Sequence, residues 1–383
     1  MTDTPEIVII GAGVMGCALA HDLCAKGRRV LVLDRDTICS GSSGVNAGGV
    51  RQQFTSEVNV RTAARSMQRI SSFHQEFGVN LDFHQVGYLF LVSRLETQRV
   101  FEAAIDVQRS CGVDSEFIAP QQIADLAPIV RTDDLLGAAF CSTDGHLDPH
   151  ALVMGFAAAA RSKGATLRQS CSVVDLDVTG NRVVAVRTSA GDILSPEIVV
   201  NTAGAWAKDI GRLAGVSLPI EPWRSQVFRM KIDDTPDLLP MTIDFDHGKS
   251  YFHRDGDAII AGNDDGHLSD NTWPVSFNEN RAPTLIERLM HRSESFGSAR
   301  LVGGWAGLLE LTPDENPIVG WTGAENLYTS AGFSGHGLCI APGLSLDVAR
   351  DLCGEKTQID LSPYSPDRFQ TSSSTTGEAL SLR

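Results

Sequence analysis

The sequence lacks the features that mark nucleic-acid-binding, membrane and secreted proteins. Its 383 residues carry 32 Lys and Arg against 47 Asp and Glu, a formal net charge of -15, and contain no run of basic residues. An anionic surface repels phosphate backbones and anionic lipid headgroups, so we expect no nucleic-acid partner. The apolar stretch over residues 7–20 has no basic region before it and ends at His21, too soon for a span of about 20 residues. We therefore expect neither membrane insertion nor a signal peptide.

The cysteines have no metal-binding spacing. None of them forms a CxxC pair or a cluster, and they stand at Cys17, Cys24, Cys39, Cys111, Cys141, Cys171, Cys339 and Cys353. Scattered thiols in a chain of this size are usually small buried apolar groups. We therefore predict no metal site, and a cytoplasmic protein in a reducing compartment.

The hydrophobic pattern opens with one βαβ unit. Glu6–Ile10 is an apolar run rich in β-branched side chains, which predicts a buried strand. Residues 14–26 are helix-like, and Gly27 follows where a helix C-terminus often has glycine. Arg29–Leu33 predicts a second buried strand, which closes on Asp34. A loop rich in Gly and Ser and a polar helix over about 57–77 come next.

The pattern changes at residue 86. Alternating side-chain character there predicts strands of an antiparallel sheet at 86–92, 137–141, 227–231, 250–253 and 258–261. The remaining predicted elements are a helix over 149–163, hairpin strands over 172–178 and 182–189, a buried strand over 198–201 and a last helix over roughly 341–353.

These elements predict an α/β fold in which a Rossmann-like dinucleotide-binding domain is interleaved with an antiparallel β-sheet substrate domain. We assign the dinucleotide-binding domain to residues 1–85, 142–216 and 300–370, and the substrate domain to residues 86–141 and 217–299. Residues 371–383 are rich in Ser and Thr, and we expect a disordered tail there.

A dinucleotide fingerprint lies inside the βαβ unit. The residues Gly11, Ala12, Gly13, Val14, Met15 and Gly16 have the GxGxxG spacing. Alone this spacing often marks an ordinary tight turn, but here a strand precedes it, a helix opens inside it, and Asp34 closes the next strand. The glycines let backbone N–H groups approach a pyrophosphate at the helix N-terminus, and Asp34 can accept hydrogen bonds from a ribose. Arg35 beside Asp34 does not separate FAD from NAD.

Three further stretches place small residues where a cofactor could approach the chain. Each follows a strand or precedes a helix, although the first could also be an ordinary flexible loop. We expect cofactor contacts from Ser42, Ser43, Asn46, Ala47, Gly48 and Gly49 in the first, from Ala203, Gly204 and Trp206 in the second, and from Gly332, Gly335, His336, Gly337 and Leu338 in the third. Val173 and Val174, in the first strand of the hairpin, complete the predicted cofactor site.

Together these motifs resemble the family of FAD-dependent amino-acid oxidases that includes sarcosine oxidase, glycine oxidase and D-amino-acid oxidase. The resemblance rests on the fingerprint, GSSGVNAGGVR, VVNTAGAW, and LTPDENPIVG followed by SAGFSGHG, in that order along nearly the whole chain. It implies a D-amino-acid-oxidase-like fold with FAD as the cofactor. It also implies hydride transfer from a substrate carbon to flavin N5 and hydrolysis of the resulting imine.

The resemblance also suggests residue roles. Arg51 matches the arginine that holds the substrate carboxylate in sarcosine-oxidase-like members, and a guanidinium suits bidentate carboxylate binding. The alternative is an arginine bound to FAD phosphates or to a surface acid. Tyr251 and His253 share one face of a predicted strand and could contact substrate, or they could be ordinary sheet residues. His336 could supply a polar group beside the flavin, or it could bind backbone at the helix start.

Several positions depart from the family pattern. Leu309 and Gly335 stand where glycine oxidase has arginines, and Cys339 stands where sarcosine-oxidase-like members have a lysine. The oxygen-activating lysine of the oxidases falls at Ile259 or Ile260, which implies slow reaction with oxygen. Gly307 and Asn46 occupy the two positions of covalent flavin attachment in relatives, so we predict noncovalent FAD.

The resulting hypothesis is an FAD-dependent oxidase or dehydrogenase that oxidises the C–N bond of a small secondary or N-substituted amino acid of the sarcosine, dimethylglycine or proline type. One alternative is a D-amino-acid dehydrogenase. Another is a non-catalytic FAD-binding subunit or assembly factor, since relatives act as subunits of larger complexes. A hetero-oligomeric or electron-accepting protein partner is compatible with each of these.

Overall fold

The computed structural model describes residues 5–263, 275–369 and 377–380 of the chain. The helices in this part are α1 (Val14–Ala25), α2 (Glu57–Phe77), α3 (Leu95–Ser110), α4 (Pro120–Leu126), α5 (Pro149–Ser162), α6 (Ala207–Leu213), α7 (Ala282–Arg292) and α8 (Gly337–Leu352). The strands are β1 (Ile7–Ile10), β2 (Val30–Leu33), β3 (Gly49–Val50), β4 (Tyr88–Val92), β5 (Ser115–Ile118), β6 (Gly137–Cys141), β7 (Gly145–His146), β8 (Thr166–Arg168), β9 (Val173–Thr179), β10 (Arg182–Thr188), β11 (Ile193–Leu194), β12 (Ile198–Asn201), β13 (Glu221–Lys231), β14 (Met241–Asp244), β15 (Ser250–Asp255), β16 (Ala258–Gly262), β17 (Arg300–Leu311), β18 (Ile318–Trp321) and β19 (Leu327–Ala331).

A six-stranded sheet is built around the N-terminal βαβ unit. Its order is β18-β19-β12-β1-β2-β8, parallel except for the antiparallel edge pair β18–β19. Strands β1 and β2 are apolar and buried along their whole length, as expected when both faces of a parallel sheet are covered. Alternate residues of β1 pack on helices α1, α2, α5 and α8 on one face and on the β9–β10 hairpin and α6 on the other.

An eight-stranded sheet forms the second half of the molecule. Its order is β17-β13-β16-β15-β14-β4-β6-β5. The long strands β13 and β17 pair from Glu221 opposite Leu311 to Lys231 opposite Arg300. Helices α4 and α7 pack on one apolar cluster of this sheet, and α3 packs on another.

The structure differs from three of the sequence-based predictions, which concern a domain boundary, the type of the second sheet and the start of the last helix. Strand β17 belongs to the eight-stranded sheet through its pairing with β13, although residues 300–370 were assigned to the dinucleotide-binding domain. That sheet is mixed, because β14 and β4 pair in parallel. Helix α8 begins at Gly337 and contains Pro342, so it starts about four residues before the predicted beginning near 341.

The C-terminal segment differs from the expected disordered tail where it is described. Glu378 is buried and its carboxylate accepts hydrogen bonds from the Thr55 N–H (3.0 Å) and the Asn59 side-chain amide (2.8 Å). Leu380 is fully buried against the apolar cluster of α3 and β4. These contacts hold residues 377–380 to the protein, and the rest of the segment 371–383 lies outside the described residues.

Candidate active site

A cavity of ≈ 540 Å³ runs between the two sheets. One end is formed by the loops that follow β1 and β2, and the wall continues through the loops after β12 and β19 to strands β13, β14 and β15 of the larger sheet. Open parallel sheets bind ligands beyond the carboxyl ends of their strands. The cavity therefore lies where the topology predicts a cofactor and brings the second sheet against it.

The fingerprint loop forms the floor of this cavity. Gly11 has φ +112°, and a side chain there would place Cβ 2.4 Å from the Thr202 carbonyl oxygen, so only glycine fits. A Cβ on Gly16 would lie 1.9 Å from the Gly11 carbonyl oxygen, which shows how closely α1 packs on β1. Helix α1 has no acidic residue in its first turn, and the Val14 N–H donates to the Ser43 hydroxyl at 3.0 Å. The N-terminus of the helix, which carries a partial positive charge, therefore faces the cavity with no acidic residue in its own first turn. Such a helix end suits a pyrophosphate.

Asp34 is held at the end of β2 with its carboxylate on the cavity wall. The backbone N–H groups of Ala12 and Asp36 donate to its two oxygens at 2.7 and 2.9 Å. A carboxylate has about four acceptor positions, so two remain for the hydroxyls of a ribose. Arg35 lies 3.8 Å from the centre of the Trp206 ring, and both side chains line the same end of the cavity.

The loop after β2 is fixed by its own side chains. The Asn46 amide donates to the Ser43 carbonyl at 2.6 Å, and its oxygen accepts from the Gly48 N–H at 2.7 Å. His253 supports the same loop from the second sheet, because its Nε2 lies 2.9 Å from the Ala47 carbonyl oxygen. Both side chains therefore position the loop backbone.

The loop before α8 closes the next part of the wall. The lining residues here are Phe333, Ser334, Gly335, His336, Gly337 and Leu338. Burial and the nearby positive charge of Arg51 lower the pKa of His336 to about 3, so the imidazole is neutral. Its Nδ1 is buried without a hydrogen-bond partner among the described residues and is available to a ligand.

The far end of the cavity combines a cation with apolar and aromatic walls. Tyr88, Met241 and Tyr251 line it together with Lys249, whose ammonium lies 5.1 Å from the Phe245 ring centre. Among the described lining residues, Lys249 and Arg35 carry a permanent positive charge, and Arg35 stands at the opposite end. Tyr88, Met241 and Lys249 were not among the predicted site residues. Of the three, only Tyr88 had a signal in the sequence, as an aromatic residue within the predicted strand 86–92.

Most of the predicted cofactor residues line the cavity. They are Gly11, Ala12, Gly13, Val14, Met15, Asp34, Arg35, Ser42, Ser43, Asn46, Ala47, Gly49, Val173, Ala203, Gly204, Trp206, Gly335, His336, Gly337 and Leu338. Four lie outside the lining: Gly16 and Gly48 pack against backbone carbonyls, Val174 is exposed, and Gly332 packs against Thr312. Of the predicted catalytic residues, Tyr251 and His336 line the cavity, whereas Arg51 and His253 do not.

The position of Arg51 differs from the expectation of a substrate-facing guanidinium. The side chain is buried, and its guanidinium donates to the carbonyl oxygens of Gln53 and Leu380, the second at 2.9 Å. It also stacks on Phe54, with 4.2 Å between the guanidinium carbon and the ring centre. Phe54 packs edge-on against the cavity-lining His336, with 5.3 Å between the ring centres, so Arg51 lies one layer behind the wall.

One group outside the cavity has the composition of a metal site. Ligand atoms of Asp134, His247 and His291 lie within 4.8 Å of one another. Arg292, however, donates to both oxygens of Asp134 at 2.7 and 3.2 Å. A cation would have to displace this buried guanidinium, so the donor set is poorly suited to a metal ion.

Comparison with known proteins identifies the class that this site belongs to. The family model for FAD dependent oxidoreductase matches residues 6–350, so the chain belongs to the FAD-dependent oxidoreductase family. FAD-dependent oxidoreductase domain-containing protein 1 of Xenopus laevis is 30% identical over 95% of this chain and 82% of its own length. Mitochondrial sarcosine dehydrogenase of Mus musculus is 26% identical over 97% of this chain, which spans 42% of that protein.

A solved structure extends this relationship to the whole fold. The crystal structure of L-proline dehydrogenase from P. horikoshii superimposes with a TM-score of 0.90 at 31% identity, covering 97% of this chain and 99% of the other. The chain is thus an FAD-dependent oxidoreductase. The glycine floor, the α1 N-terminus and the Asp34 carboxylate fit the cofactor that this family uses. In the described part of the chain, no helix has the length and apolarity needed to cross a membrane.

Proposed function

We propose that the substrate is a small secondary or N-substituted amino acid of the sarcosine, dimethylglycine or proline type. The observation that carries this proposal is the composition of the far end of the cavity, where Lys249 stands beside the apolar and aromatic side chains of Tyr88, Met241 and Val227. A cation suits the substrate carboxylate, and an apolar wall favours a nitrogen that bears carbon substituents over a primary ammonium. The likeness to a proline and a sarcosine dehydrogenase supports the same substrate class.

Carboxylate binding is assigned to Lys249 and Tyr251 under this proposal. Lys249 is half-buried, so an ion pair with substrate would be less screened than one on the open surface. The Tyr251 side chain lines the same end and packs against Gly262, where a Cβ would lie 2.4 Å from the tyrosine oxygen. This close packing limits the tyrosine to one orientation, which helps to orient the substrate.

The cofactor loops complete the arrangement. Bound FAD supplies the acceptor for the hydride that leaves the substrate carbon next to nitrogen. The residues of the fingerprint loop, Asp34 and the His336 loop would hold FAD noncovalently, since Gly307 has no side chain and the Asn46 amide is engaged in its own loop. Tyr88 in the cavity wall is buried, which would help to keep bulk water from the reacting carbon, and the imine product would hydrolyse after release.

The experiment is an anaerobic screen of the purified yellow protein. Sarcosine, dimethylglycine and L-proline are mixed with it in turn and compared with glycine and D-alanine, and bleaching of flavin absorbance is recorded. We expect bleaching by at least one N-substituted amino acid, and slower or no bleaching by the primary amino acids. Preferential bleaching by D-alanine would instead identify a D-amino-acid dehydrogenase, and no bleaching by any amino acid would favour a non-catalytic subunit. A protein partner and a cytoplasmic location stay predictions.

A further inference from the structure

Glu310 is a buried acid in the cavity wall that the arrangement above does not use. It lies near the end of β17 and is 8% exposed. Its Oε2 is buried without a hydrogen-bond partner among the described residues. A Cβ on Gly204 would lie 3.1 Å from this oxygen, so the carboxyl group faces the loop that follows β12.

The surroundings of Glu310 offer no charged partner for its carboxyl group. The nearby backbone N–H groups of Phe333 and Gly332 lower its pKa, but burial outweighs them and raises the pKa of Glu310 to about 7. Neither an arginine nor a lysine of the described chain contributes to this shift. An unpartnered buried polar atom is costly, so a native structure that retains one commonly satisfies it with a ligand or water.

The strand order shows which part of the cofactor reaches this acid. Asp34 follows β2, the fingerprint loop follows β1, and Gly204 and Gly332 follow β12 and β19, the next strands in the same sheet. Neighbouring strands lie about 4.8 Å apart. A dinucleotide with its adenosine ribose at Asp34 and its pyrophosphate on the fingerprint loop therefore continues past Gly204. The next segment of FAD in that direction is the ribityl chain, which carries three hydroxyl groups.

We propose that Glu310 binds a ribityl hydroxyl group of FAD through Oε2. A hydroxyl donates to a carboxyl oxygen whether or not the acid is ionised, so this partner satisfies the orphaned atom in both states. Gly204, which lies against this oxygen, and Glu310 both line the cavity that would hold the cofactor. This inference rests on FAD binding and is independent of the proposed substrate.

The test is an exchange experiment on the holoprotein. Wild type is incubated with an excess of 2′-, 3′- or 4′-deoxyribityl FAD, and the ratio of natural to analogue flavin that remains bound at equilibrium is measured by chromatography. We expect wild type to favour FAD over one of the three analogues by about three- to tenfold, the effect of one buried hydrogen bond. Glu310→Leu should bind FAD and that analogue equally well. The exposed Glu221, on the paired strand β13, provides the control variant Glu221→Gln, which should keep the preference of wild type.

The outcomes separate a cofactor ligand from a structural acid. Equal binding of all three analogues by wild type would overturn the proposal, as would an unchanged preference in Glu310→Leu. If Glu310→Leu does not fold, Glu310→Ala replaces it. That variant also lacks an acceptor oxygen and should bind FAD and the analogue equally well, whereas a preference like that of wild type would again contradict the proposal. Flavin reduction by substrate plays no part in this measurement, so failure here leaves the proposed substrate untouched.

Discussion

Replacing Lys249 by methionine tests the assignment of substrate carboxylate binding. Methionine keeps a long, unbranched side chain and removes the positive charge of a residue that lines the far end of the cavity. Removing one partner of a buried charge pair typically costs about 2–5 kcal/mol. Lys249 is only half-buried, so we expect the lower part of this range, about 2–3 kcal/mol, which is roughly a 30- to 150-fold loss of kcat/KM.

The assay compares an amino acid with its methyl ester on each protein. In Lys249→Met, kcat/KM should fall by this 30- to 150-fold for the acid and by less than about threefold for the ester. Arg51→Met is the matched comparison, because it also removes one cation near the cavity. Since the Arg51 guanidinium is bound to the Gln53 and Leu380 carbonyls, its loss should lower the melting temperature and affect acid and ester alike.

Two results would refute this reasoning. Equal losses on acid and ester in Lys249→Met would show that the lysine does not contact the carboxylate. An acid-specific loss in Arg51→Met, with melting temperature and FAD content unchanged, would show that the arginine leaves its two carbonyls and binds substrate. The original expectation from the GSSGVNAGGVR motif would then be correct.

Three further predictions concern the cofactor and its surroundings. Asp34→Ala should weaken FAD binding by about 1.5–3 kcal/mol, because the ribose loses a charged acceptor; equal FAD retention on gel filtration would contradict this. Acid precipitation should release all FAD into the supernatant, given Gly307 and Asn46 at the attachment positions, and a yellow pellet would show a covalent bond. Burial raises the pKa of Glu310 from 4.5 to about 7. In the FAD-free protein, the protonated acid therefore contributes its full stabilisation below pH 4.5, and this contribution is lost as the pH rises through 7. Glu310→Gln should therefore gain stability over wild type between pH 5 and pH 8, by up to about 3 kcal/mol in denaturant titrations, and a constant difference across that range would contradict the assigned cause.

The end of the cavity formed by the fingerprint loop and Asp34 could be predicted because its signals are local. Gly11 and Asp34 lie within one βαβ unit, whose spacing fixes their geometry almost independently of the remaining chain. Helix α2 was predicted with its observed bounds, since Ser56 caps its start and Gly78, with φ +70°, ends it. Such features depend on neighbours a few residues away.

The far end of the cavity, where we propose that the substrate binds, could not be predicted in the same way. Tyr88 and Met241 meet because β4 and β14 pair in parallel across more than 150 residues of sequence, which no local pattern indicates. Lys249 lies in the turn between β14 and β15 and reads as an ordinary surface lysine. For Arg51 the motif predicted where the residue stands in the chain but not where its side chain points. The guanidinium instead donates to the carbonyl of Leu380, which lies 329 residues away in the sequence.

The most direct test of the account is a single-turnover isotope experiment. The amino acid that bleaches the flavin fastest in the anaerobic screen is prepared with deuterium on the carbon next to nitrogen, and the rate of bleaching at saturating concentration is compared with that of the undeuterated compound. If the protein oxidises a C–N bond by removing hydrogen from that carbon, deuterium should slow bleaching several-fold, and the carbonyl product should form in equal amount to the flavin reduced. Bleaching that is insensitive to deuterium and yields no carbonyl product would contradict the account.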